Sequence, residues 1–134
     1  MHTDEVAAKD SGLPSVFGHG MFTAGILGKA LTDFVGVGNL REYKVRFTKQ
    51  TWPGETLTTR VTVQKKYEEH GEQRVDLHCE VVNEGGEAKI SGVAVGTLNS
   101  GSLRNTRTVS RSFVSVFASK YTSPKRSFAP RKFR

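Results

Sequence analysis

Cysteine is almost missing: the only one in 134 residues is Cys79, so no internal disulfide can form. Stability has to come from packing and hydrogen bonds, and the cysteine usage fits a reducing cytoplasm. Long apolar runs are missing as well. The longest such stretch, residues 21–37, is broken by Thr23, Lys29, Thr32 and Asp33, whereas a bilayer-spanning helix needs ~20 mostly apolar residues in a row. No membrane association is therefore expected. The opening His2-Thr3-Asp4-Glu5 has neither the basic nor the apolar region of a secretory signal. The most informative absence is of acid: residues 99–134 contain no Asp or Glu, yet hold nine Lys and Arg. Subtracting those nine from the chain's 20 leaves residues 1–98 with 11 basic and 13 acidic side chains, so the formal net charge of +7 belongs to the tail. Reading the whole chain as a nucleic-acid binder would average two unlike compositions. The tail could give nonspecific, strongly salt-dependent contact with phosphates, but no aromatic platform accompanies its charge. No specific nucleic-acid partner is expected.

What is present suffices for one domain with a core of its own. Thr3 reads as the N-cap of a short helix, with Asp4 and Glu5 in the first turn and Ser11-Gly12-Leu13-Pro14 as the stop. After Gly18-His19-Gly20 a second helix is expected over residues 21–34, apolar nearly all round through Met21, Phe22, Ala24, Ile26, Leu27, Ala30, Leu31 and Phe34. Such a helix is normally enclosed by other structure, and Gly25 and Gly28 would suit close approach of a sheet. From Leu40 the period turns to two: Tyr43, Val45 and Phe47; then Leu57, Val61 and Val63; then Val75, Leu77, Cys79 and Val81; then residues 88–98. His70-Gly71 and Asn83-Glu84-Gly85-Gly86 read as hairpin turns between them. The expectation is an antiparallel meander of four strands, with Gly92 and Gly96 leaving room for close contacts. Residues 99–134, with eight serines and scattered basic residues, are expected to be a disordered tail or one foreign to the domain.

Four segments, taken in order and spacing, resemble the MaoC-like dehydratases: His2-Thr3-Asp4-Glu5 before a short helix, His19-Gly20-Met21 opening a buried one, Glu42-Tyr43-Lys44-Val45-Arg46-Phe47, and Trp52-Pro53-Gly54-Glu55-Thr56-Leu57. The similarity covers residues 1–98 and is greatest to the short (3R)-hydroxyacyl-thioester dehydratase subunits. It implies an α+β hot-dog fold, an antiparallel sheet wrapped around a central helix, and pairing as a homodimer or with a related hot-dog subunit. The implied activity is reversible hydration of a trans-2-enoyl thioester of CoA or acyl-carrier protein to the (3R)-3-hydroxy product, without a cofactor or metal. A hot-dog thioesterase and a non-catalytic subunit of a heterodimeric dehydratase are the alternatives.

By the same resemblance His2 is the catalytic histidine, the backbone N–H of Gly20 forms the oxyanion hole, and His19 and Met21 contact substrate. Imidazole can take a proton near neutral pH, and a helix N-terminus offers unpaired N–H groups to a developing negative charge. His19 has a second reading as a helix cap. The family's Gly-Asp-x-Asn-Pro-x-His pattern sets an Asp five residues before the histidine, and no such position exists ahead of His2 in this sequence. The expectation is a domain lacking its N-terminal segment and impaired in activity. Asp4 and Glu5 are read as helix-capping acids, His70 and His78 as surface residues, and Arg46 and Trp52 as packing supports.

Overall fold

The computed structural model describes residues 1–98 and the backbone of Thr108–Phe113. Helix α1 (Glu5–Asp10) is capped by Asp4 and not by Thr3: the Asp4 carboxylate accepts from the N–H groups of Val6 and Ala7 at 3.0 and 3.1 Å. A carboxylate is the stronger acceptor for these orphan donors, and its charge also suits the helix dipole. Glu5 reaches across the following turn instead, accepting from the Ser15 hydroxyl and the Val16 N–H at 3.0 and 3.1 Å.

Helix α2 (Gly20–Val35) starts one residue earlier than the apolar pattern implied, with His19 as its N-cap. Leu27 and Leu31 are fully buried, flanked by Ala24 and Val35, and this i, i+4 spacing sets one face of the helix on the sheet. Burying each leucine contributes ~1.5–3 kcal/mol. The opposite face carries Met21, Phe22, Gly25, Lys29 and Asp33 in exposed positions. The single chain thus covers one side of the helix only, and a Cβ added at Gly25 would meet nothing within 4 Å. The Tyr43 hydroxyl ties helix to sheet by donating to the Ala24 carbonyl at 2.8 Å. Burial, followed by the influence of Cys79, pushes this phenol up to about 12. Burial likewise raises the Cys79 thiol to about 11, which keeps it a neutral core side chain.

The strands are β1 (Leu40–Phe47), β2 (Leu57–Glu69), β3 (Glu72–Val82), β4 (Ala88–Thr97) and β5 (Thr108–Phe113), all antiparallel to their neighbours in the order β1-β4-β3-β2-β5. Strands β2 to β4 form a meander, but β1 pairs with β4 and not with β2, which corrects the four-strand meander. The link 48–56 crosses from one side of the sheet to the other, and hydrophobic alternation carries no information about such a crossing. His70 and Gly71 turn β2 into β3 with φ of 52° and 73°, the pair of left-handed residues that matches strand twist in a two-residue hairpin. Asn83 closes the next turn, its side-chain oxygen accepting from the N–H groups of Gly85 and Glu87. The close contacts foreseen at two glycines are present: a Cβ on Gly92 would fall 2.1 Å from the Lys44 carbonyl oxygen, and one on Gly96 would fall 2.6 Å from Val35 Cγ1.

Strand β5 pairs with β2 from Leu57 opposite Phe113 to Thr62 opposite Thr108. The rest of 99–134 lies outside the described residues, and with it the expectation of a disordered or foreign tail. No helix among the described residues is long and apolar enough to cross a membrane.

Candidate active site

An open cavity of about 320 Å³ lies where the link 48–56 meets the start of α2, lined by Phe17, Gly18, Gly20, Thr23, Phe47, residues 48–51 and Lys89. Local chemistry explains its walls. Gly18 donates its N–H to the Thr51 carbonyl at 2.8 Å, and the Thr23 and Thr51 hydroxyls lie 3.4 Å apart. Gly20 permits the approach of Phe47, whose ring would stand 2.9 Å from a Cβ at that position. As the first residue of α2, Gly20 has an N–H without an intrahelical acceptor. The next N–H, that of Met21, is taken by the His19 ring Nδ1 at 3.2 Å.

Beneath the cavity sits a buried cation. Lys89, with a side chain 1% exposed, holds Glu55 and Glu87 at 2.7 Å each and donates to the Gln50 carbonyl at 3.0 Å. Burial works against its charge, but Glu55 and Glu87 outweigh that and raise its pKa. Glu55 also accepts from the Trp52 N–H and from Asn83, and these bonds with Lys89 hold its carboxyl below the usual range despite its burial. Hydrogen bonds from Lys49 and then Lys89 bring Glu87 down to about 2.

These depressed carboxylates set a pH dependence. Their contribution to stability is present above the ordinary value of 4.5 and is lost as pH falls toward about 2, where Glu87 protonates. The melting temperature is expected to hold from neutrality to pH ~5 and to fall between pH ~4.5 and ~2. A Glu87→Gln variant followed by thermal denaturation should show a shallower fall over that window. An equal slope in both proteins would exclude Glu87 as a contributor.

The predicted site residues gather unevenly around this cavity. The His2 ring packs edge-on against Phe17 with centroids 4.6 Å apart, and lies 5.1 Å from the His19 ring. Its Nδ1 is 2.9 Å from the Phe17 carbonyl oxygen. A carbonyl only accepts, so Nδ1 carries the proton and Nε2 of the neutral ring carries the lone pair. Phe17 in turn meets the Trp52 ring at 6.1 Å and lines the cavity. Gly20 lines it directly. His2, which packs on Phe17, does not contribute to the lining, and neither do His19 and Met21, the latter 64% exposed. Asp4 and Glu5 are both engaged in shaping α1 and the turn after it. His70 is exposed as expected, and His78 is half-buried.

Lys89 escaped sequence reading. Alternation sets it on the face opposite Ile90, where a lysine normally meets water, and its burial comes from partners on the link 48–55. The available signal was the acid in Trp52-Pro53-Gly54-Glu55, which needed a counter-charge once its turn was packed down.

Residues 1–85 match the family described as MaoC like domain. The chain belongs to the MaoC-like domain family. A stretch of 63 residues, 44% of the chain, is 40% identical to 3-hydroxyacyl-thioester dehydratase Y of Mycobacterium tuberculosis and spans 22% of that longer protein. Among solved structures, the (R)-hydratase from A. caviae involved in PHA biosynthesis superposes with a TM-score of 0.65 at 23% identity, covering 73% of this chain and 74% of the hydratase. The C-terminally truncated HadBC (3R-hydroxyacyl-ACP dehydratase) complex of Mycobacterium tuberculosis gives 0.52 at 21% identity, over 70% of this chain and 72% of that one. This MaoC-like domain has the hot-dog fold, an antiparallel sheet packed on a central helix.

Proposed function

We propose that this MaoC-like domain serves the reversible hydration of trans-2-enoyl thioesters to (3R)-3-hydroxyacyl thioesters. The observation that carries the reading is the placement of His2: its Nδ1–H is held by the Phe17 carbonyl, and its ring stands beside His19 at the cavity end of α2. That bond orients the imidazole with Nε2 as the base that takes a proton from water. The N–H of Gly20, backed by the helix dipole, is suited to the charge that develops on the thioester oxygen. His19, through Nδ1, caps the helix, and a substrate contact would fall to its other ring edge. Support comes from family membership and from the likeness to an (R)-hydratase structure. The substrate is an acyl-CoA or acyl-carrier-protein thioester, the setting cytoplasmic, and no cofactor is required. The test is loss of enoyl absorbance from crotonyl-CoA on adding the protein, with release of free CoA followed in parallel. Hydration without CoA release supports the reading, and CoA release alone would establish a thioesterase instead.

Pairing with a second hot-dog subunit belongs to this proposal. Met21, Phe22 and Val93 are large exposed apolar side chains, 64, 45 and 46% accessible, and β1 is an outer strand of the sheet. Covering such a surface stabilises an assembly, and one structural relative is a complex of dehydratase subunits. Sedimentation of the 134-residue chain at micromolar concentration is expected to show a dimer, or a heterodimer when a related subunit is supplied. A monomer in both experiments would overturn the pairing.

A further inference from the structure

Lys89 grips the link between β1 and β2 at three points. Its backbone carbonyl accepts from the N–H groups of Thr48 and Lys49 at 3.0 and 3.3 Å, and its ammonium donates to the Gln50 carbonyl at 3.0 Å. The pairing with Glu55 closes the far end of the same segment, because Glu55 also holds the Trp52 N–H at 2.7 Å. All three ammonium protons are used, on Gln50, Glu55 and Glu87. This cation therefore has no donor left for a ligand, although it lines the cavity. What it can do is hold other groups. Residues 48–51 form one cavity wall, and from Thr51 the contacts continue to the Gly18 N–H and the Thr23 hydroxyl, on either side of the start of α2.

We propose that Lys89 is a positioning residue: by clamping the link at Gln50 it fixes the cavity wall and, through Thr51, the residues 18–20 that lead into α2. Gly20 and the Phe17 carbonyl that orients His2 lie in or next to that stretch. The kinetic part of the test rests on the proposed hydration, while the structural part does not. Removing Lys89 alone would leave the largely buried Glu55 without its counter-charge. The informative variant is therefore Lys89→Met combined with Glu55→Gln, which removes both charges while Glu87 keeps its bond to Lys49.

Amide hydrogen exchange of the full chain is expected to show Gly18 exchanging at least about tenfold faster in the double variant, with amides of β3 unchanged. Crotonyl-CoA hydration should lose about 10–100-fold in kcat with KM moved less than about threefold, as for groups displaced from transition-state geometry. A folded double variant with Gly18 exchange unchanged overturns the proposal. So does one that fails to fold, because Lys89 would then support the whole domain and not this wall. So does a loss confined to KM. Absence of crotonyl-CoA hydration even with a Gly-Asp-x-Asn-Pro lead-in ahead of His2 refutes the proposed function and leaves the Gly18 exchange to decide the role of Lys89.

Discussion

With a Gly-Asp-x-Asn-Pro lead-in ahead of His2, crotonyl-CoA hydration is expected to fall by about 10²–10⁴-fold on His2→Ala. Addition of water needs two positioned groups, one to accept a proton and one to deliver or orient. His2 supplies the first, with Nδ1 fixed on the Phe17 carbonyl. The two carboxylates next to it in sequence do not supply the second: Asp4 is spent on the N-terminus of α1, and Glu5 on Ser15 and Val16. The resemblance to MaoC-like dehydratases puts the second group, an Asp, five residues before the histidine. His2→Ala should leave the melting temperature nearly unchanged, because the ring is only half-buried. Activity that is unchanged when the Asp of the lead-in is replaced by Asn would remove the argument for a second acid. Activity in the extended chain that survives His2→Ala would remove His2 as the base.

Gly92→Ala is expected to be the most damaging single methyl in the domain. The added Cβ would sit 2.1 Å from the Lys44 carbonyl oxygen and 3.0 Å from Val45 Cα, both backbone atoms of the paired strand β1. A side chain could turn aside, but a backbone carbonyl in a hydrogen-bonded ladder cannot without opening the β1–β4 pairing. A cost of about 3 kcal/mol or more is expected, in the upper range for overpacking, and it should lower the melting temperature by roughly 10–20 °C. Gly25→Ala provides the contrast on the exposed face of α2, where a Cβ meets nothing. There the methyl should stabilise by ~0.5–1 kcal/mol through helix propensity alone. Thermal denaturation of the two variants decides it: equal small shifts would mean that β1 is free to move off β4.

Much of the layout follows from local patterns. The period-two runs through Tyr43, Val61 and Val75 to Val81 lie in strands, as does all of residues 88–98 but Leu98, and the turns at His70-Gly71 and Asn83 fall where polar and glycine residues interrupt them. The i, i+4 leucines of α2 face the sheet, as their spacing requires. These features depend on neighbours a few residues away, and periodicity reports such neighbours directly. The order and spacing of the four segments likewise pointed to the family, because His2, Gly20 and the Trp52-Pro53-Gly54-Glu55 turn are tied to fixed places in one chain path.

Which strands become neighbours is a different kind of fact. Nothing in the pattern of β1 distinguishes β2 from β4 as its partner, since both present alternating apolar residues. The choice follows the path of the link 48–56 over the sheet. The same path brings Gln50 and Glu55 onto Lys89, 39 and 34 residues away along the chain, so that a lysine on the water-facing phase of a strand becomes the most buried charge among the described residues. It also puts Thr51 against Gly18 and so builds the cavity beside α2. Sequence by itself determined the two helices, strands β1 to β4, their turns and the family to which they belong. Tertiary structure alone decided the pairing of β1, the burial of Lys89 and the wall of the site, because burial and hydrogen-bond partnership at long range depend on which segments pack together and not on the residues beside each group.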